Sequence, residues 1–173
     1  WRGRQDGAYH GWKGTVAACD GSAGKGMGAA AVMRNAQGEL ASAVCKVGGP
    51  MSSFRAEAAA MWQAVHYADK AAPLVVLTDS MNVIQALQAW DHAEFMRDMT
   101  WQRNADIIVQ ILLAINRRLA PVTVIKVKSH CGVELNEKAD VLAGEASAPE
   151  DEEGESLIDT LYVPSPPDSV VTY

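Results

Sequence analysis

A chain of 173 residues with 49% hydrophobic and 21% charged residues is long enough for one domain with its own core, and its composition is typical of a globular protein. The net charge of −6 comes from one end, because residues 1–144 carry 13 acids against all 15 Lys and Arg, a net of +2, whereas residues 145–173 carry eight acids and no base. The acidic total therefore does not exclude a nucleic-acid partner.

The cellular setting is predicted from what the sequence lacks. Its start shows no apolar signal-peptide run, and its longest strongly apolar helical pattern, residues 107–115, is far too short to span a bilayer. The three cysteines, Cys19, Cys45 and Cys131, are an odd number without paired spacing, which favours a reducing compartment. We expect an intracellular, cytoplasmic or nuclear protein with no membrane contact. The first residue, Trp1, suggests a piece of a longer polypeptide.

The N-terminal third predicts an antiparallel sheet. Residues 1–14 are polar and Gly-rich and form a lead-in segment. Three strands are expected at 15–19, 28–33 and 39–47, with a hairpin turn at 34–38. Because the connections are short, these strands should form a meander.

The remaining chain alternates helices and strands. Ser52 or Ser53 caps a helix that runs to about residue 71, Ser80 caps one at 81–90, and Asn104 caps a third. Buried strands are expected at 74–77 and 122–127, and a last helix at 134–146. The order βββαβααβα predicts an α/β fold, a mixed five-stranded sheet with helices on both faces. The domain would span 15–146, and 147–173, acidic with four of the seven prolines, would be a disordered tail or linker.

Four acidic residues stand out because they come from four different elements. Asp20 ends the first predicted strand, Asp79 follows the fourth, and Glu57 and Asp140 lie on the first and last helices. Carboxylates at the carboxyl ends of strands face a crevice. Crowded ionised acids repel one another unless cations join them, and Mg²⁺ and Mn²⁺ prefer oxygen ligands. Two such ions about 4 Å apart can promote phosphodiester cleavage.

Simpler explanations exist for each residue taken singly. A lone Asp at a strand end is usually a turn residue, and a lone helical acid such as Glu57, Glu134 or Glu137 is usually solvated. Cys131 beside His130 could suggest a thiol nucleophile or zinc site, but no second cysteine is near in sequence. The Gly-rich stretch 24–28 lacks the spacing of a phosphate-binding loop.

The ordered motifs resemble those of the ribonuclease H type I family over roughly residues 14–146, and the last of them is most similar to ribonuclease H domains of retroelement reverse transcriptases. These motifs are Asp20-Gly-Ser, Phe54-Arg-Ala-Glu57-Ala, Leu77-Thr-Asp79-Ser and Ser129-His-Cys-Gly-Val-Glu-Leu-Asn-Glu-Lys-Ala-Asp140.

The resemblance implies an endonuclease that cuts the RNA strand of RNA/DNA hybrids and leaves 5′-phosphate and 3′-hydroxyl ends. It implies two Mg²⁺ ions, for which Mn²⁺ would substitute. Asp20 would bridge them, Glu57 and Asp79 would hold one, and Asp140 would hold the more weakly bound ion. His130 would assist proton transfer or product departure, since its pKa lies near neutral pH.

Candidate substrate contacts are spread over three parts of the chain: Gly21, Ser22, Lys25, Ser52, Ser53, Arg55 and Asn82. Cellular bacterial family members carry a Lys-rich protrusion between the second and third helices, whereas residues 91–103 here have a net charge of −1. Because phosphate neutralisation supplies much of nucleic-acid affinity, we expect weak hybrid binding alone and a tethered polymerase or hybrid-binding module as partner.

Two other functions remain open. The same architecture serves other nucleic-acid cutting enzymes such as resolvases, integrases and exonucleases, and it also serves as a non-catalytic scaffold in larger assemblies. The spacing from His130 to Asp140 favours the hybrid ribonuclease over the first alternative. The presence of all four acids favours it over the second, because degenerate scaffolds usually lose acids.

Overall fold

The computed structural model describes residues 13–91, 103–129 and 132–149, together with the backbone of 159–161. Six strands and four helices lie within these ranges. In chain order they are β1 Thr15–Ala23, β2 Met27–Arg34, β3 Leu40–Val47, α1 Ser53–Tyr67, β4 Leu74–Thr78, α2 Met81–Asp91, α3 Ala105–Asn116, β5 Val122–Lys126, α4 Glu134–Ser147 and β6 Asp159–Leu161. The first nine elements follow the predicted order βββαβααβα.

The strands form one mixed sheet in the order β5-β4-β1-β2-β3-β6. The first three strands are antiparallel neighbours, and β4 and β5 run parallel to β1. The predicted five-stranded α/β architecture is therefore confirmed. Strand β6 was not predicted; it lies within the segment expected to be a tail and pairs in parallel with the end of β3.

Helices cover both faces of the sheet because the strands alternate their side chains. Ala17 and Cys19 of β1 face one core, which α1, α2 and α3 complete. Val16 and Ala18 face a second, smaller core, which α4 completes with Leu135 and Ala139. None of the helices in the described ranges has the length and apolar character needed to cross a membrane.

The first strand is longer than predicted, and the difference matters for the site. Pairing with β4 stops at Ala18, but pairing with β2 continues to Ala23. Hydrogen bonds to β2 therefore keep the polar residues after Cys19 in extended form, although their side chains gave no strand pattern. Asp20 consequently lies inside β1, on a hairpin arm that projects beyond its pairing with β4.

Two of the three predicted helix caps are confirmed. The Ser52 hydroxyl accepts from the backbone N–H of Arg55 at 3.3 Å, and the Ser80 hydroxyl accepts from that of Val83 at 3.5 Å. The prediction for Asn104 is wrong in its chemistry. Asn104 occupies the N-cap position of α3, but it has a φ of 67° and its side chain caps no backbone N–H.

Candidate active site

Three of the four predicted carboxylates converge at one end of the sheet. Asp20, Glu57 and Asp79 each offer an oxygen atom within 4.8 Å of the others. The parallel register explains the first pairing, because Ala18 lies opposite Leu77 and the two aspartates follow two residues later on their chains. Glu57 comes from the second turn of α1, whose N-terminus lies at this end.

Gly21 permits the close approach that brings Glu57 to the strand. A Cβ atom at Gly21 would lie 2.2 Å from the backbone nitrogen of Glu57 and 2.3 Å from the carbonyl carbon of Ala56. Helix α1 thus packs with its backbone directly against β1, which only glycine allows. The Gly21 N–H also donates to Asp20 Oδ1 at 3.0 Å, so this residue, predicted as a substrate contact, has a structural role beside the acids.

Asp140 reaches the same cluster from α4, on the second face of the sheet. Its side chain shares a hydrogen bond with the carboxyl group of Asp20. The neighbouring Ala139 is fully buried against β1 and fixes the turn of α4 that carries the acid. The structure therefore brings all four predicted acids together, with Asp20 as the common member.

The electrostatics of the cluster are those of crowded, partly buried acids. Burial, the hydrogen bond that the protonated Asp20 carboxyl donates to Asp140, and the negative charge of Asp79 raise the pKa of Asp20 to about 7. Burial and the charges of Asp20 and Asp79 raise the pKa of Glu57 to about 8. Without a cation, the two carboxyl groups thus hold protons that isolated carboxylates would lose near pH 4.

The donor set fits a hard divalent cation. All four side chains present carboxylate oxygens, the ligands that Mg²⁺ and Mn²⁺ prefer. Glu57 Oε2 is buried and has no hydrogen-bond partner within the described part of the chain, which leaves it available as a ligand. The adjacent Cys19 does not compete, because burial and the charge of Glu57 raise the pKa of its thiol and keep it protonated.

Ser129 is a site residue that the sequence analysis did not single out. Its hydroxyl donates to Asp79 Oδ2 at 2.7 Å, and the preceding loop is fixed where Val127 N–H donates to the Thr78 carbonyl at 2.8 Å. Its place directly before His130 in the last motif was the available signal. His130 and Cys131 lie outside the described residues, so the predicted role of His130 stays a prediction.

The predicted substrate contacts fall into two groups. Lys25, Ser53 and Asn82 are exposed and remain available to a ligand. Ser22 is partly buried, and its hydroxyl is paired with that of Ser147 at 3.1 Å. Most of the segment 91–103, for which we expected no basic protrusion, lies outside the described residues.

Arg55 requires a correction. Only 2% of it is exposed, and its guanidinium binds both carboxylate oxygens of Asp106, at 3.0 and 2.9 Å, and the carbonyl of Gly48 at 2.6 Å. The motif position next to Glu57 suggested a surface cation, but the side chain instead joins α1 to α3 and to the loop after β3. Arg55 is therefore not carried forward as a substrate contact.

Comparison with known proteins adds one positive finding. A family model described as RNase H matches residues 13–148. The match covers most of the chain, including β1 to β5, the four helices and all four acids. A search of curated proteins found no match.

Proposed function

The chain belongs to the ribonuclease H family, and on this premise we propose that it is a metal-dependent endonuclease that hydrolyses the RNA strand of RNA/DNA hybrids. The observation that carries the proposal is the convergence of Asp20, Glu57 and Asp79 within 4.8 Å, joined by Asp140 through its hydrogen bond with Asp20. Elevated pKa values in one crevice are typical of functional sites.

The family resemblance implies two Mg²⁺ ions. Asp20, which belongs to the group of three and also contacts Asp140, would help to hold both. Glu57 and Asp79 would hold the first ion and Asp140 the second, and Mn²⁺ would substitute. When bound, the ions supply charge stabilisation to the attacking water and to the departing 3′-oxygen, which gives 5′-phosphate and 3′-hydroxyl ends.

The protein side chains orient this site and move protons. The Gly21 N–H holds Asp20 at 3.0 Å, and the Ser129 hydroxyl holds Asp79 at 2.7 Å, so both carboxylates are oriented before substrate arrives. His130 follows Ser129 directly. We assign His130 to proton transfer or product departure.

Substrate recognition would combine phosphate contacts with detection of ribose. Glu57 would lie near the RNA hydroxyls, and the exposed Ser53 and Asn82 at the N-terminal ends of α1 and α2 would contact the backbone of the hybrid. Because the sequence has few basic residues between the second and third helices, we infer that this domain by itself binds the hybrid weakly. A tethered polymerase or hybrid-binding module, as in a retroelement reverse transcriptase, would raise the effective concentration.

A substrate panel tests the proposed activity. The protein would be incubated with Mg²⁺ and end-labelled RNA/DNA hybrid, duplex DNA, duplex RNA or single strands. We expect cutting of the RNA strand in the hybrid alone, with 5′-phosphate on the downstream product. Cutting of another substrate would indicate a different nuclease of this fold. No cutting by the folded protein, even after fusion to a hybrid-binding domain, would indicate a non-catalytic scaffold.

A further inference from the structure

A second site of opposite charge lies at the same end of the sheet as the acids. A pocket of about 270 Å³ opens between the β1–β2 turn, the end of β3 and the last turn of α4. Two lysines, Lys25 from the turn and Lys46 from β3, line it, together with Ser147 and Pro149. Lys46 was not among the predicted substrate contacts.

The register of the strands places this pocket close to the carboxylates. Asp20 lies opposite Ala30 on β2, and Gly28, two residues before Ala30 on the same strand, lies opposite Lys46 on β3. Strand spacing and rise per residue put the backbone of Lys46 about 12 Å from that of Asp20.

Lys46 also projects from the same face of the sheet as Asp20. Its neighbours Cys45 and Val47 face the core formed with α1, so Lys46 points to the α4 side. Asp20 points to that side as well, because it shares a hydrogen bond with Asp140 of α4. A nucleic-acid strand that crosses the carboxylates and continues over the β1–β2 turn would therefore meet Lys25 and then Lys46.

From this placement we propose that Lys25 and Lys46 form a phosphate-binding subsite for the nucleic-acid strand, a few nucleotides from the bond that is cut. The inference rests on the proposed function and extends it. The two ammonium groups carry positive charge and N–H donors, the chemistry that binds a phosphodiester. The subsite would supply part of the affinity that segment 91–103, with its net charge of −1, does not supply.

The lysines have a second possible role, and its consequences differ. Gly28 lies against the last turn of α4, where an added Cβ would meet the carbonyl oxygen of Ala143 at 2.3 Å, so Lys46 lies close to the C-terminal carbonyl groups of α4. Cations near a helix C-terminus stabilise the helix. That role predicts a lower melting temperature on removal of the lysines and no change in nucleic-acid binding.

Binding of a fluorescent RNA/DNA hybrid in EDTA, where cleavage is blocked, separates the two roles. The double variant Lys25→Ala/Lys46→Ala is compared with wild type over a range of salt concentrations. Lys70→Ala/Arg117→Ala is the matched control, because it also removes two positive charges, from exposed residues that lie beside His66 near the end of α1, at the other end of the sheet. Lys25→Arg/Lys46→Arg tests whether charge alone is required.

We expect the double alanine variant to weaken binding roughly tenfold at low salt and to reduce the slope of log K against log salt by roughly 2. The arginine variant should retain most of the affinity, and Lys70→Ala/Arg117→Ala should change it less than about twofold. An unchanged Kd and salt slope in a folded double alanine variant would overturn the proposal, as would absence of hybrid binding by wild type. If hybrid binding depends on the two lysines but wild type does not cleave the hybrid in Mg²⁺, the subsite is supported. That result would count only against the proposed activity.

Discussion

At the scale of single residues, the four acids are held together against their own repulsion. Gly21 lets α1 approach β1, and the parallel register aligns Asp20 with Asp79. The cost is visible in the raised pKa values of Asp20 and Glu57. Such an arrangement lowers the stability of the metal-free protein. It favours function, because a cation that relieves the repulsion between the carboxylates then binds more tightly.

The first prediction concerns pH and metal. The folded pKa values of Asp20 and Glu57, about 7 and about 8, exceed their ordinary values of 3.8 and 4.5. These two carboxyl groups therefore bind more protons in the folded protein than in the unfolded chain between about pH 4 and pH 8, so their contribution to stability falls as pH rises through that window. In EDTA we expect the melting temperature to decrease from pH 5 to pH 8 on this account.

Two companion measurements isolate the cluster as the cause. Mg²⁺ should raise the melting temperature most at the alkaline end of the range, because the deprotonated carboxylates bind it. Glu57→Gln should flatten the pH dependence and stabilise the metal-free protein by roughly 1 to 2 kcal/mol near pH 8. The assignment would be contradicted if the difference in stability between metal-free wild type and Glu57→Gln were the same at pH 5 and at pH 8.

The second prediction concerns Ser129. Removing a hydrogen bond that orients a metal ligand commonly costs 10- to 100-fold in metal affinity or activity. Ser129 is exposed, so we expect a smaller effect here. Ser129→Ala should raise the Mg²⁺ concentration for half-maximal cleavage roughly three- to tenfold. Ser129→Thr keeps the hydroxyl and should stay near wild type. Titration of cleavage rate with Mg²⁺ measures the effect, and identical titration curves would remove Ser129 from the site.

At the scale of elements, a buried ion pair helps to hold α1 in place. Arg55 joins α1 to Asp106 in the first turn of α3, and the side chains are only 2% and 9% exposed. The same guanidinium fixes the loop after β3 through Gly48. Since Glu57 lies two residues later on the same helix, this pair helps to position a carboxylate that it does not touch.

The third prediction follows from that pair. Arg55→Met leaves the Asp106 carboxylate buried without its cation, which should lower the free energy of unfolding by about 3 to 5 kcal/mol. Arg55→Met/Asp106→Leu removes both charges and should recover a substantial part of the loss. Urea unfolding of the three proteins measures the difference. Equal stability of wild type and Arg55→Met would show that the pair contributes little.

The elements also show which structural features can be predicted from sequence. Ser52 and the buried strand β4 were found because local chemistry specifies them: a hydroxyl before a helix and four apolar residues in a row. Arg55 was misassigned because its partner lies 51 residues away, a separation that no local pattern encodes. The extension of β1 beyond Cys19 and the added strand β6 depend on hydrogen bonds to neighbouring strands, not on their own side chains.

At the scale of the whole molecule, charge is divided between two regions. Residues 1–144 have a net charge of +2, whereas 150–155 alone hold five acids: Glu150, Asp151, Glu152, Glu153 and Glu155. A concentrated negative charge on the same chain repels the phosphates of a nucleic acid over a distance set by ionic strength. The acidic segment should therefore oppose hybrid binding at low salt.

The fourth prediction tests this opposition. Replacing the five acids by Gln or Asn changes charge with little change in size. Hybrid affinity should increase several-fold at about 50 mM salt and converge with that of wild type at several hundred mM, where screening shortens the interaction range. Fluorescence anisotropy in EDTA measures both. The same ratio of affinities at all salt concentrations would contradict a long-range electrostatic effect.

The measurement that tests the central claim most directly is cleavage of a labelled RNA/DNA hybrid by wild type, Asp79→Asn and Glu137→Gln with Mg²⁺ and with EDTA. Glu137 is the matched control, an exposed acid of α4 three residues before Asp140. We expect metal-dependent cutting of the RNA strand, a loss of roughly 100-fold or more in Asp79→Asn, and a rate within about twofold of wild type in Glu137→Gln. Full activity of Asp79→Asn, or cutting by wild type in EDTA, would contradict the assignment of the carboxylate cluster as the metal-dependent active site.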